Sequence, residues 1–106
     1  MYVPEIEVSS LLAALANGET LIDVRETEEF EQARISGARL ISLSEIPERI
    51  GEIPHQKRVH VICAKGGRSQ VAVEFLRSNG IDAVNVSGGM AAWVEAGITG
   101  ESGEVL

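Results

Sequence analysis

Short apolar runs at residues 20–24, 59–62 and 83–86 alternate with segments of helical periodicity. That alternation constrains the fold more than any other feature, because strands separated by helices cannot pair through tight hairpins. The strands must instead be joined by right-handed βαβ crossovers, which implies an α/β domain with a mostly parallel sheet and helices on both faces. Ahead of the first run, Ser9 or Ser10 is placed to cap a short helix carrying Leu11, Leu12 and Leu15, with Asn17-Gly18 to end it. Residues 26–32 predict a turn or two of helix with Phe30 inward, residues 39–42 a short strand, and residues 45–50 a small helix. The clearest helix is 69–78, where Val71, Ala72, Phe75 and Leu76 share a face and Asn79-Gly80 supplies the stop. A last helix is expected at 91–96, closing at Gly97.

In parallel sheets ligands bind beyond the carboxyl ends of the strands. Asp23 and Cys63 both stand at such ends, and Cys63 opens the run Cys63-Ala64-Lys65-Gly66-Gly67-Arg68-Ser69 between a strand and the best helix. A helix start offers unpaired N–H groups and partial positive charge, and successive amides in a tight turn form a nest for an anion. The same features favour thiolate over thiol. The plain alternative is a small buried core cysteine beside an ordinary turn. Two glycines and two basic residues favour a nucleophile in an anion-binding cradle. Cys63 is therefore the candidate catalytic residue, and Ala64, Lys65, Gly66, Gly67, Arg68 and Ser69 form the candidate binding loop. Gly66 and Gly67 allow the backbone to turn its amides to the sulfur. Arg68 offers a bidentate fork to an anionic donor if it faces inward. Lys65 reads equally as anion-binding or merely solvated, and Ser69 reads first as a helix cap.

Three segments resemble the rhodanese family of sulfurtransferases. Leu21-Ile22-Asp23-Val24-Arg25-Glu26 followed by Glu29-Phe30 is similar to the family's first signature, and Cys63-x-x-Gly66-x-Arg68-Ser69 to its active-site loop. Gly88-Gly89-Met90-Ala91-Ala92-Trp93 resembles its closing glycine pair and tryptophan helix. Where the family often has Gly-His-Ile-Pro-Gly-Ala, this chain has Ala33-Arg34-Ile35-Ser36-Gly37-Ala38, keeping only the isoleucine, the second glycine and the alanine. The resemblance implies a single rhodanese-like domain over residues 1–98, with a central, mostly parallel five-stranded sheet and helices on both faces; the tail at 99–106 has little to bury and is expected to fray. It further implies a thiosulfate sulfurtransferase of the rhodanese type. Cys63 would take the outer sulfur of thiosulfate or a persulfide, become a persulfide, and hand that sulfur to cyanide, a thiol or a protein. With no second cysteine to resolve the persulfide internally, the acceptor must be external. No cofactor is called for. Two rivals stand beside this reading. One is a persulfide carrier or docking module with little small-molecule turnover. The other is a phosphatase or arsenate reductase, disfavoured because only four residues separate Cys63 from Arg68, where related phosphatase loops carry five.

A chain of 106 residues suffices for one core. A single cysteine cannot staple it, which suits a reducing compartment. The amino terminus lacks the basic start and apolar stretch of a signal peptide, and no apolar run approaches the ~20 residues that span a bilayer. A cytoplasmic location is expected. The net charge of −7 argues against nucleic acid and repels small anions from a distance, so a positive loop must act locally against it. Asp23 and Arg25 read as scaffold, His60 as a satisfied or partly exposed strand residue, His55 as a loop residue and Trp93 as a core anchor. The acidic stretch 26–31 reads as a solvated helix face. No histidine spacing suggests a metal site.

Overall fold

A computed structural model describes residues 2–97. The expected domain boundary at 98 and the tail at 99–106 lie outside the described residues. The elements run β1 (Glu5–Ile6), α1 (Val8–Ala16), β2 (Thr20–Asp23), α2 (Thr27–Gln32), β3 (Arg39–Leu40), α3 (Ile46–Arg49), β4 (Val59–Ile62), α4 (Gly67–Ser78), β5 (Ala83–Val86) and α5 (Gly89–Glu95). Single 3₁₀ turns flank α3 at Leu43–Glu45 and Ile50–Glu52. The five strands form one sheet in the order β1-β5-β4-β2-β3, and every neighbouring pair is parallel. From β2 the chain moves outward to β3, and from β4 it moves the opposite way to β5. The crevice beyond the carboxyl ends of β2 and β4 is therefore the switch point at which such sheets bind ligands.

Two apolar layers cover the sheet. Val59, Val61, Ala72, Val73 and Leu76 belong to one, with Ile22 and Ile46. Leu11, Leu21, Ile62, Met90 and Trp93 belong to the other, beneath α1 and α5. All four residues of β4 are buried, as a strand covered on both faces requires. Trp93 is fully buried, in its expected role of core anchor. Among the described residues no helix is long and apolar enough to cross a membrane.

Several local expectations need correction. The first helix begins at Val8, with Glu7 as its N-cap, so Ser9 and Ser10 lie inside it and cap nothing. Strand β1 was not recognisable from two residues next to Pro4, yet it completes the sheet edge on β5. Phe30 is only half-buried and lies under the Arg34 guanidinium, 5.2 Å from its ring centroid. The buried face of α4 is Ser69, Ala72, Val73 and Leu76. Val71 and Phe75 are 55% and 37% exposed and border an apolar groove of about 240 Å³ against Leu43, Ile46 and Pro47. Helical periodicity fixes the spacing of a stripe but not its rotation, and here a polar residue, Ser69, belongs to the buried stripe.

Candidate active site

Strand β4 ends at Ile62, and the chain turns through residues 63–66 before α4 begins at Gly67. Gly66 has φ +111°, a left-handed conformation that a side chain would strain. This turn brings the Gly66 N–H to 3.1 Å from Cys63 Sγ, and the Ser69 hydroxyl lies 3.3 Å from the same sulfur. The backbone amides of Ser69 and Lys65 also favour the charged form of the sulfur. Cys63 itself is 1% exposed. Burial disfavours the thiolate, but the Ser69 hydroxyl and the Ser69, Gly66 and Lys65 amides outweigh it, so the thiol pKa lies below its ordinary value.

The back of the loop is held by α5. The Met90 N–H donates to the Cys63 carbonyl at 2.8 Å and the Ala91 N–H to the Ala64 carbonyl at 3.0 Å. In a trans peptide the C=O and N–H point opposite ways, so anchoring the Ala64 carbonyl on α5 turns the Lys65 amide toward the sulfur. The glycine pair before α5 is what permits this approach. Gly89 has φ +57°, and a Cβ there would stand 2.8 Å from the Ala64 carbonyl carbon and oxygen. Gly89→Ala is accordingly expected to cost about 2–4 kcal/mol, from the left-handed backbone and the overpacking together. It should also raise the Cys63 pKa. Urea unfolding and thiolate absorbance against pH measure the two effects.

Ser69 is the third residue of α4, whose N-cap is Gly66, so its expected role as a cap is replaced by a contact with the site. Its hydroxyl also meets Asn85 Oδ1 at 2.5 Å. The Asn85 amide is oriented by donating from Nδ2 to Glu5 Oε2 at 3.1 Å and to the Gly66 carbonyl at 3.3 Å. A hydroxyl carries one proton, so Ser69 can serve the carboxamide or the sulfur but not both at once. A full charge on sulfur makes it the stronger acceptor. Ser69→Ala is expected to raise the Cys63 pKa and slow alkylation at neutral pH, read from the pH dependence of the rate.

The two cations of the loop are placed differently. Lys65 is exposed. Arg68 is half-buried, and both arms of its fork are engaged, donating to Glu29 Oε1 at 2.7 Å and Oε2 at 2.9 Å. The acidic run at 26–31 predicts a solvated face for Glu29. Instead it is held at the third position of α2 in a capping box with Glu26, whose N–H donates to Glu29 Oε1 at 3.0 Å. Hydrogen bonds from Arg68 and then from the Glu26 amide lower the Glu29 pKa to about 2. The pair therefore stays ionised at neutral pH, and its contribution is lost only as pH falls from the ordinary carboxylate range toward that value.

Asp23 and Arg25 form the scaffold expected of them. Arg25 donates from Nε and Nη2 to the Asp23 carboxylate at 2.7–3.1 Å. It donates also to the carbonyls of Ala33 at 2.8 Å and Glu29 at 3.3 Å, tying α2 to the end of β2. His60 is 2% exposed rather than partly solvated; its Nε2 pairs with Glu19 at 2.7 Å, while Nδ1 has no hydrogen-bond partner. It lies on β4 three residues before Cys63, toward the strand's opposite end. The loop 63–69 is thus assembled as one unit around Sγ. Glu29, Asn85 and Gly89 join it from elements that the sequence alone did not connect to the site. Glu29 and the glycine pair carried a signal only as parts of the first and closing motifs, and Asn85 carried none.

The Rhodanese-like domain model matches residues 7–96. A putative sulfurtransferase of Bacillus subtilis, YtwF, is 37% identical over 95 residues, covering 88% of this chain and 92% of the relative. A sulfurtransferase of Allochromatium vinosum is 36% identical over 99 residues, covering 91% and 92%. A putative sulfur carrier protein of Bacillus subtilis, YrkF, is 35% identical over 94 residues, which cover 86% of this chain but only 51% of that longer relative. Among solved structures, a rhodanese-related protein from Thermoplasma volcanium superposes with a TM-score of 0.86 at 34% identity over 97% of both chains. A parallel α/β sheet with a cysteine loop at its switch point, matched over nearly its whole length by these proteins, belongs to the rhodanese-like family of sulfurtransferases and sulfur carriers.

Proposed function

We propose that the protein moves sulfane sulfur through a persulfide on Cys63. The observation that carries this reading is the ring around one sulfur: the Gly66 N–H at 3.1 Å and the Ser69 hydroxyl at 3.3 Å, with the Ser69 and Lys65 amides also favouring its charged form. Such a ring stabilises an anion on Sγ and, one atom further out, on a persulfide. With a persulfide donor, the Cys63 thiolate attacks the outer sulfur. The new Sγ–S bond forms as the donor's S–S bond breaks, and the donor leaves as a thiolate with the electron pair. With thiosulfate the leaving group is sulfite. In the second half, the acceptor's lone pair attacks the outer sulfur of the Cys63 persulfide. Cyanide then leaves as thiocyanate, or a thiolate leaves as a new persulfide, and the Cys63 thiolate is restored. Donor and acceptor use the same site in turn, so the kinetics should be ping-pong. The Gly66 amide and the Ser69 hydroxyl hold the sulfur, and Lys65 is the loop cation free to meet an anionic donor.

Mass spectrometry of the protein after exposure to thiosulfate or a small persulfide tests the reading directly. One added sulfur on Cys63, removed by cyanide or thiol, is expected. An unmodified Cys63 after every donor overturns it.

A second reading, a persulfide carrier for protein partners, is favoured by the 1% exposure of Cys63, which shelters a persulfide from adventitious thiols. Similarity to a protein named as a sulfur carrier points the same way. Stable loading from a protein donor combined with weak thiosulfate turnover would select this reading over the first.

A further inference from the structure

Two observations bear on which donors the loop can accept. The chain is acidic overall, at −7, so attraction of a small anion depends on positive charge at the loop itself. One of the two loop cations, Arg68, has both arms of its fork occupied by Glu29 at 2.7 and 2.9 Å. This end-on pair takes one N–H from each arm and offsets the guanidinium charge that an incoming anion would meet. Glu29 is moreover held from behind, by the Glu26 amide on its Oε1 and by the Arg25 guanidinium on its backbone carbonyl. Arg25 is in turn fixed by buried Asp23. The carboxylate that neutralises Arg68 is thus built into the scaffold and is not a loose surface partner. Among the described residues Lys65 is the only cation of the loop with no carboxylate within salt-bridge distance.

We infer that Glu29 is a specificity-determining residue that biases Cys63 against small, highly charged anionic donors and toward protein-borne persulfides. This rests on the proposed sulfur-transfer role of Cys63 and deepens it by naming the donor class. A dianion such as thiosulfate meets at Arg68 a guanidinium whose charge Glu29 already offsets, with the Glu29 carboxylate beside it, and has only Lys65 as an uncompensated cation of the loop. A protein-borne persulfide carries at most a single charge on its outer sulfur and is delivered by docking of its carrier, so it depends far less on the loop cations.

The test separates electrostatics at Cys63 from turnover. Alkylation rates of Cys63 are measured with iodoacetate, an anion, and iodoacetamide, its neutral counterpart, in wild type and Glu29→Gln. Glutamine keeps the shape and can still serve in the capping box, so the fold is retained. The neutral reagent corrects for any change in thiol pKa or access. The iodoacetate-to-iodoacetamide ratio is expected to rise about fivefold at low salt, the scale of one partly exposed ion pair, and to fall back at high salt. Glu29→Ala, which does not rely on the amide, should give the same rise. An unchanged or lowered ratio in both variants overturns the inference, and so does failure of both reagents to reach Cys63 in the native protein. In the same proteins, kcat/KM for thiosulfate should rise with the ratio. A raised ratio with no sulfur transfer from any donor would uphold the role of Glu29 while rejecting the function proposed for Cys63.

Discussion

Cys63→Ser is expected to lower sulfur transfer by at least about a thousandfold, the scale on which loss of a covalent nucleophile is felt, while leaving the fold in place. The hydroxyl that replaces the thiol is far less acidic, and the donors that favour a thiolate cannot make an alkoxide at neutral pH. An oxygen there also forms no persulfide, so the covalent half-reaction is lost outright. Stability should change little. The serine oxygen can accept from the Gly66 amide and the Ser69 hydroxyl in the place of sulfur, so no buried donor is orphaned. The loss of sulfur from the apolar layer around Ile22, Val24 and Ala72 costs about 1 kcal/mol, as for other small deletions in a core. Thiocyanate formation from thiosulfate and cyanide, together with urea unfolding, measures both effects. Substantial turnover in the serine variant would remove Cys63 from the chemistry and return it to the role of a packed strand-end residue.

The sequence made the sheet and the loop legible for a physical reason. Buried parallel strands must be apolar on both faces, so the strands at 20–23, 59–62 and 83–86 stand out as short continuous runs. A backbone that must turn its amides onto one atom needs glycine, so the 63–69 segment announces itself as well. What stayed hidden depends on contacts between residues far apart in the chain. Glu29 is 39 positions from Arg68, and although the first signature includes it, nothing in that acidic run shows that its carboxylate crosses to α4. Asn85 sits in a strand whose other residues are apolar, and only the three-dimensional neighbourhood shows that it orients the Ser69 hydroxyl. The rotation of α4 is not legible in the sequence because Val71 and Phe75 look like core residues. Ser69 looks like a cap, yet it is buried against the sulfur while both apolar side chains reach solvent. Strand β1 was invisible because two residues carry no period.

The largest effect on stability is expected from Asp23→Ala. Asp23 is fully buried and Arg25 only 5% exposed, so each charge is compensated by the other and by little else. Removing the carboxylate leaves a guanidinium at the carboxyl end of β2 with only the Ala33 and Glu29 carbonyls as partners. Breaking a buried pair from one side costs about 3–5 kcal/mol, a large share of the roughly 5–15 kcal/mol that holds a domain together. Asp23→Asn should cost less, since the amide oxygen still accepts from Nε or Nη2. Replacing both partners, Asp23→Ala with Arg25→Met, should recover part of the loss because no unpaired charge stays buried. The alanine variant should also loosen α2, and with it the grip of Glu29 on Arg68, so its iodoacetate-to-iodoacetamide ratio at Cys63 should shift toward that of Glu29→Gln. Urea midpoints for the three variants decide the matter. If Asp23→Ala were no less stable than Asp23→Asn, the pair would not be the strut between β2 and α2, and the Ala33 and Glu29 carbonyls alone would be holding Arg25 in place.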